Sequence, residues 1–190
     1  MLVFISFVFL RGMKKQKFTP AHEQHHDFTI FDLAASLPDY KLAYFLNKNL
    51  GSNLERADDL EVTHQNAEKP DVFSFYYCEK DKGRTMFLIH QINDSNPMMQ
   101  NYFLMLQGYF SKIEEKELLS GIATIPEILN INKIKLDDDG KQNQALKKKT
   151  AFINTILTDL EFHLIEMKRR KNEDKVSLKV NEKGTIKKLY

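Results

Sequence analysis

Between residues 72 and 109 the apolar and aromatic positions fall into three runs divided by turn-forming residues. The first, residues 72–79, is dense in aromatic and branched side chains, which suit a pleated surface. Side chains alternate between faces along a strand, so Phe73, Phe75 and Tyr77 share one side and Val72, Ser74, Tyr76 and Cys78 the other. Lys80-Asp81-Lys82-Gly83 is a turn with glycine where positive φ is needed. Residues 84–92 return as a second strand. Asn93-Asp94-Ser95-Asn96-Pro97 is a second turn, and residues 101–109 a third strand. Both faces of these strands are fairly apolar, so at least part of the sheet is expected to be covered on both sides.

The pattern extends outward from this meander. Residues 27–35 predict an earlier strand. A helix follows, with Ser36 as N-cap, Pro38 in the first turn, a wide apolar arc from Tyr40 to Leu50, and Gly51 as its stop. Residues 54–62 are expected to be a charged, solvated connection. After the meander, Ser111-Lys112-Ile113-Glu114 has capping-box form and opens a second helix with Leu118, Leu119 and Ile122 on its stripe. Residues 128–136 predict a last strand. The expected fold class is therefore α+β: a mostly antiparallel β-α-β-β-β-α-β sheet with two helices packed mainly on one face, plus a long C-terminal helix.

That last helix spans about residues 144–171, free of glycine and proline. Ile153, Leu157, Leu160, Leu164 and Met167 keep a three–four spacing that extends back to Leu146, with Thr150 filling the gap. Two uses fit this seam equally. It is an interaction surface for a homodimer or another protein partner, or it docks onto the body. Beyond it, residues 176–180 and 185–189 read as a small hairpin or as disorder. The expected division is a leader at 1–20, a core domain at 21–140 and a basic helix and tail at 141–190.

Composition adds limits. With 190 residues, 42% hydrophobic and 28% charged, the chain can build one ordinary core and is not a disordered sequence. Charge is uneven: 12 of the 28 Lys/Arg and 6 of the 26 Asp/Glu lie from Ala145 onward, so the tail carries +6 and the rest −4. Lys168-Arg169-Arg170-Lys171 is the densest basic cluster and the candidate nucleic-acid contact, although the acids interspersed along the tail dilute it. Cys78 is the single cysteine. It cannot form an intramolecular disulfide, reads as a small buried hydrophobe, and fits a cytoplasmic location.

The N-terminal ten residues are strongly apolar. The run is half the ~20 residues that span a bilayer as a helix, so no integral membrane segment is expected. Nor has it the charge order or cleavage site of a secretory signal. Met13 is the expected start, with residues 1–12 an extension; a short membrane-associating segment is the alternative.

A resemblance enters through the ordered segments Asp27 to Ala35, Leu37-Pro38-Asp39-Tyr40-Lys41-Leu42-Ala43-Tyr44-Phe45-Leu46-Asn47-Lys48 and Asn53-Leu54-Glu55-Arg56-Ala57-Asp58-Asp59-Leu60. The aromatic hairpin and Tyr102-Phe103-Leu104 continue it to about Leu136. The chain resembles the IPExxVDY family, small bacterial proteins without an assigned activity. Only the final tyrosine of the naming motif survives, at Tyr102. The resemblance implies membership of that family and transfers no catalytic residue.

Candidate chemistry is sparse. His22-Glu23-Gln24-His25-His26 matches the zinc-protease pattern, which needs a helix placing His22 and His26 on one face with Glu23 as base. Pro20 and the adjoining strand leave little room for that helix, and no third ligand is evident, so adventitious metal binding is expected instead. Asp137-Asp138-Asp139-Gly140 has the wrong spacing for a calcium loop. No phosphate loop, dinucleotide fingerprint or nucleophile elbow occurs in the sequence. No cofactor or catalytic residue is expected. The leading functional expectation is a non-catalytic interaction or adaptor protein. The alternatives are an RNA-associated accessory protein using the basic tail and, third, a metal-dependent hydrolase at His22, Glu23 and His26.

Overall fold

The computed structural model describes residues 28–64, 68–81, 83–92, 99–136 and 144–186, the last segment with side chains to residue 173. A seven-stranded, wholly antiparallel sheet lies at its centre. The strands are β1 (Phe28–Ala35), β2 (Glu55–Arg56), β3 (Leu60–Val62), β4 (Asp71–Asp81), β5 (Arg84–Gln91), β6 (Gln100–Gln107) and β7 (Ile128–Ile134). The helices are α1 (Asp39–Leu50), α2 (Lys112–Ala123) and α3 (Gln144–Ile186). Spatial order is β2-β4-β5-β6-β1-β7, and β3 also pairs with β4, further along the same strand.

The meander β4-β5-β6 forms because its runs are apolar on both faces. In β5, Met86 to His90 are all buried, and in β6 so are Tyr102 to Leu106. Alternation then divides these residues between two cores. Tyr76, Cys78, Met86, Leu88, Leu104 and Leu106 meet Leu42 and Leu46 of α1 and Leu118 and Ile122 of α2. On the opposite face, Phe73, Phe75, Phe87, Ile89 and Met105 meet Ile153, Ile156, Leu157 and Leu160 of α3. The result is three layers, α1 and α2, the sheet, then α3. The core thus draws on both sides of the boundary expected near residue 141.

Three local expectations are corrected. Ser36 is not the N-cap of α1: that position is Pro38, with ψ 156°, and no side chain caps the helix. The helix does not begin earlier because Ser36 N donates to the Glu127 carbonyl at 3.0 Å, Leu37 is buried, and the Tyr102 hydroxyl donates to the Leu37 carbonyl. Residues 54–62 are not wholly a solvated connection. Leu54, Leu60 and Val62 are buried, and β2 and β3 line the edge of β4. Asn47 of α1 fixes this crossing by accepting from Leu54 N at 2.7 Å and donating to Leu54 O at 3.1 Å. Finally, the backbone is helical to Ile186, where a hairpin was one expectation. Adding a residue to an existing helix is cheap compared with nucleating a hairpin, so Gly184, at a cost of about 1 kcal/mol, does not stop it.

Other details agree with the pattern. Gly51 ends α1 in the left-handed conformation. Gly83, in the β4–β5 turn, has φ 84°, and the strand register shifts beside it. The Ser111–Glu114 capping box closes the start of α2 in both directions. Among the described residues, no helix is long and apolar enough to cross a membrane.

Candidate functional site

α3 packs over β4 from Phe73 to Tyr77. Phe152 packs near Phe73, with ring centroids 6.1 Å apart. His163 meets Phe75 edge-on at 5.1 Å. The Lys171 ammonium sits 4.9 Å from the centre of the Tyr77 ring and donates to its hydroxyl. The helix and the strand therefore run in the same direction.

The inward face uses the seam read from the sequence. Ile153, Leu157 and Leu160 are fully buried against the sheet, and Leu164 and Met167 pack against the same cluster half-buried. Of the two uses left open, the docked one is what the structure contains. Ile153, Leu157 and Leu160 spend their surface on Phe75, Phe87 and their neighbours within the chain. Ile156, which breaks the simplest three–four count, is buried too. Polar straps flank the seam: Lys149 pairs with Asp32, and Asp159 accepts from Thr63 N at 2.9 Å.

The basic cluster is divided by its helical geometry. Arg170 turns back to Asp58 at 2.8 Å and Lys171 to Tyr77, so both are committed to the body. The hydrogen bond to Tyr77 raises the Lys171 pKa. Lys168 and Arg169 are both exposed, Lys168 at the rim of the crevice between α3 and the sheet and Arg169 lying 3.8 Å from Glu173. Four consecutive cations are spread over about 300° around the helix, so they cannot face a single ligand together.

Where Lys171 of α3 meets Tyr77 of β4, a shallow hollow of about 200 Å³ is lined by Asn53, Glu55, Tyr77, Cys78, Glu79 and Lys171. Its polar groups are largely occupied with one another. Asn53 N donates to Cys78 Sγ at 3.4 Å, and the Asn53 amide donates to Glu55 at 2.6 Å. Such a surface can hold a partner's polar rim.

Each histidine of the body has a structural setting. His64 pairs with Asp71 at 3.1 Å and stacks on Phe152. His90 Nδ1 faces the Asn101 carbonyl at 3.0 Å, so it carries the proton and donates. His163 differs, because its Nε2 is buried without a hydrogen-bond partner. Burial drives its pKa down, outweighing the neighbouring Asp58. Among the described residues, no group of three or more His, Cys, Asp or Glu could hold a metal ion. His22, Glu23 and His26 lie outside the described residues, as does Asp137-Asp138-Asp139-Gly140.

The sequence reading missed the outer face of α3. Phe162 is 65% exposed and Ile165 64%, three residues apart and hence neighbours on the solvent side. The signal was present: once the inward seam is assigned, these are the apolar residues of that stretch left without a place in it. No family model, no curated protein and no solved structure matches the chain.

Proposed function

We propose that this chain is a non-catalytic interaction protein whose partner docks on the solvent face of α3. The exposure of Phe162 and Ile165 side by side carries this reading. Single exposed apolar residues are ordinary, but two large ones adjoining on a helix already docked by its other face are not needed for folding. The length of α3 supports it as well. As a continuous helix of 43 residues it is ~65 Å long, against ~36 Å for the 11 residues of β4. From Lys171, beside Tyr77, the helix still runs about 22 Å, while β4 has about 13 Å left. It therefore outruns the strand it lies on, and helix faces of this kind are recurrent recognition elements. The resemblance to the IPExxVDY family fits a protein without catalytic machinery. We assign it to the cytoplasm on the strength of the unpaired Cys78.

Native co-purification followed by mass spectrometry tests this, comparing wild type with the Phe162→Glu, Ile165→Glu double variant. The expected result is one protein retained in fixed ratio by wild type and lost from the variant, with the two unfolding at the same temperature. Identical retention by both would reject the reading.

RNA association is the second reading, favoured by the exposed Lys168 and Arg169. It predicts retention that is abolished by RNase and by Lys168→Ala, Arg169→Ala, and that weakens with salt. The metal-dependent hydrolase at His22, Glu23 and His26 predicts stoichiometric zinc in untagged protein.

A further inference from the structure

α3 is held to the sheet in two unlike halves. The first half is anchored by Ile153, Ile156, Leu157 and Leu160, all fully buried, with Lys149 on Asp32 and Asp159 on Thr63 N. The second half has His163, the half-buried Leu164 and Met167, the Arg170–Asp58 pair and Lys171 on Tyr77. Arg170 and Asp58 are both mostly exposed, and surface pairs of this kind hold weakly. Release of the second half would thus break few buried contacts, and partial opening of such a unit is ordinary in native proteins.

His163 sits at the junction of the two halves. Its ring edge rests against Phe75, and Nε2 is shut away from solvent with nothing to bond. A neutral imidazole tolerates this, because Nε2 can be left as a bare acceptor. A protonated imidazole cannot, because it carries two N–H donors and a charge. The groups around the ring do not rescue the charge. From the β2–β3 connection come the Asp58 carboxylate, which opposes Arg170 of α3 itself, and the Asp58 backbone, which hydrogen-bonds the ring; Glu166 is on the same helix, β4 contributes the apolar Phe75 ring, and burial outweighs the groups that favour the charge. Asp159, one turn earlier, is already engaged by Thr63 N.

We propose that His163 is a proton-operated latch: neutral, it seats the second half of α3 on the sheet; protonated, it releases residues from about 161 onward while the first half stays docked. Release would uncover the sheet face around Phe75 and Phe87 and open the crevice between Leu164, Met167 and the ends of β5 and β6. The direction follows from linkage. The ring takes up its proton more readily when undocked, so docking weakens as pH falls below the ordinary histidine value of about 6.5 and levels off once the docked ring is protonated too.

Hydrogen exchange resolved by residue tests this on the full chain, with intrinsic exchange corrected at each pH. Between pH 7.5 and 5.5, amides of residues 161–171 are expected to lose protection by up to about tenfold, the ceiling that an undocked histidine titrating near about 6.5 sets over this range, while those of residues 150–158 are little changed. His163→Phe keeps an aromatic ring against Phe75 and cannot be protonated, so it should hold protection across that range. His163→Lys should show the open pattern already at pH 7.5. Equal loss in both halves of α3 would mean global destabilisation and would overturn the latch. So would unchanged protection in wild type, or a pH response that survives in His163→Phe. If the variants do not fold, the imidazole titration of wild type decides by NMR. A His163 resonance titrating well below about 6.5 supports the latch, and one at or above it rejects the proposal.

Discussion

Arg84, the first residue of β5, donates from Nη1 to Glu114 Oε1 at 2.6 Å, and Glu114 is at the same time the reciprocal partner in the α2 capping box. One carboxylate therefore joins the central hairpin to the helix that covers it. Its other oxygen accepts from Ser111 N at 2.8 Å, and the Arg84 guanidinium lies over the Phe110 ring at 5.3 Å.

These hydrogen bonds set an acid limit. The Ser111 backbone, then Arg84, holds the Glu114 carboxyl down at about 2. A depressed carboxylate stabilises the fold above its unfolded pKa of about 4.3 and loses that contribution as pH falls toward its folded value. Urea unfolding of wild type should therefore show stability declining between about pH 4.5 and 2. In Glu114→Gln that decline should be shallower, and at pH 7 the variant should be less stable than wild type. The group is open to water, so the difference at neutral pH should be modest.

Leu157 and Phe162 sit on opposite sides of one helix, fully buried and 65% exposed respectively. Leu157→Ala should cost about 2–5 kcal/mol, the range for emptying a packed site. Phe162→Ala should change stability by no more than about 0.5 kcal/mol. Chemical denaturation of the two variants checks this. A mild effect at Leu157 would mean that α3 is not part of the core.

Gly108 follows β6 with φ 92°, and a Cβ added there would lie 2.5 Å from the Gly83 carbonyl oxygen. That oxygen belongs to the backbone of the neighbouring hairpin turn and cannot swing aside as a side chain would. Gly108→Ala therefore combines an unfavourable φ with a steric clash, and should cost on the order of 1–3 kcal/mol. Thermal unfolding measures it; an unchanged midpoint would show that the two turns are not pressed together.

The meander, the order of its strands and both long-range helices of the first 136 residues could be read from spacing alone, because alternation with period two and capping chemistry at Ser111 and Glu114 are local properties. So was the division of β4 into a Phe73–Phe75–Tyr77 face and a Tyr76–Cys78 face. Less legible were β2 and β3. Strands of two and three residues give no periodicity, and Leu60 and Val62 are strand residues chiefly because β4 offers them an edge. Ser36 misled for a similar reason: its cap-like sequence was overridden by the Tyr102 hydroxyl and the Glu127 carbonyl, both distant in the chain.

α3 shows where the two kinds of information separate. Its helical character, its seam and its excess of positive charge are written in consecutive residues, since a helix makes its own hydrogen bonds and its stripe repeats every three or four positions. What the seam touches is not written there. Ile153, Leu157 and Leu160 have the same side chains whether they meet a second copy or the chain's own sheet. Only the folded arrangement, with Phe73, Phe75, Phe87 and Met105 left bare on the second face, assigned them inward. That assignment then turned Phe162 and Ile165 to solvent, tied Arg170 and Lys171 to the body and shut His163 Nε2 away from water. Burial depends on which surfaces meet, and the surfaces that met here lie dozens of residues apart in the chain.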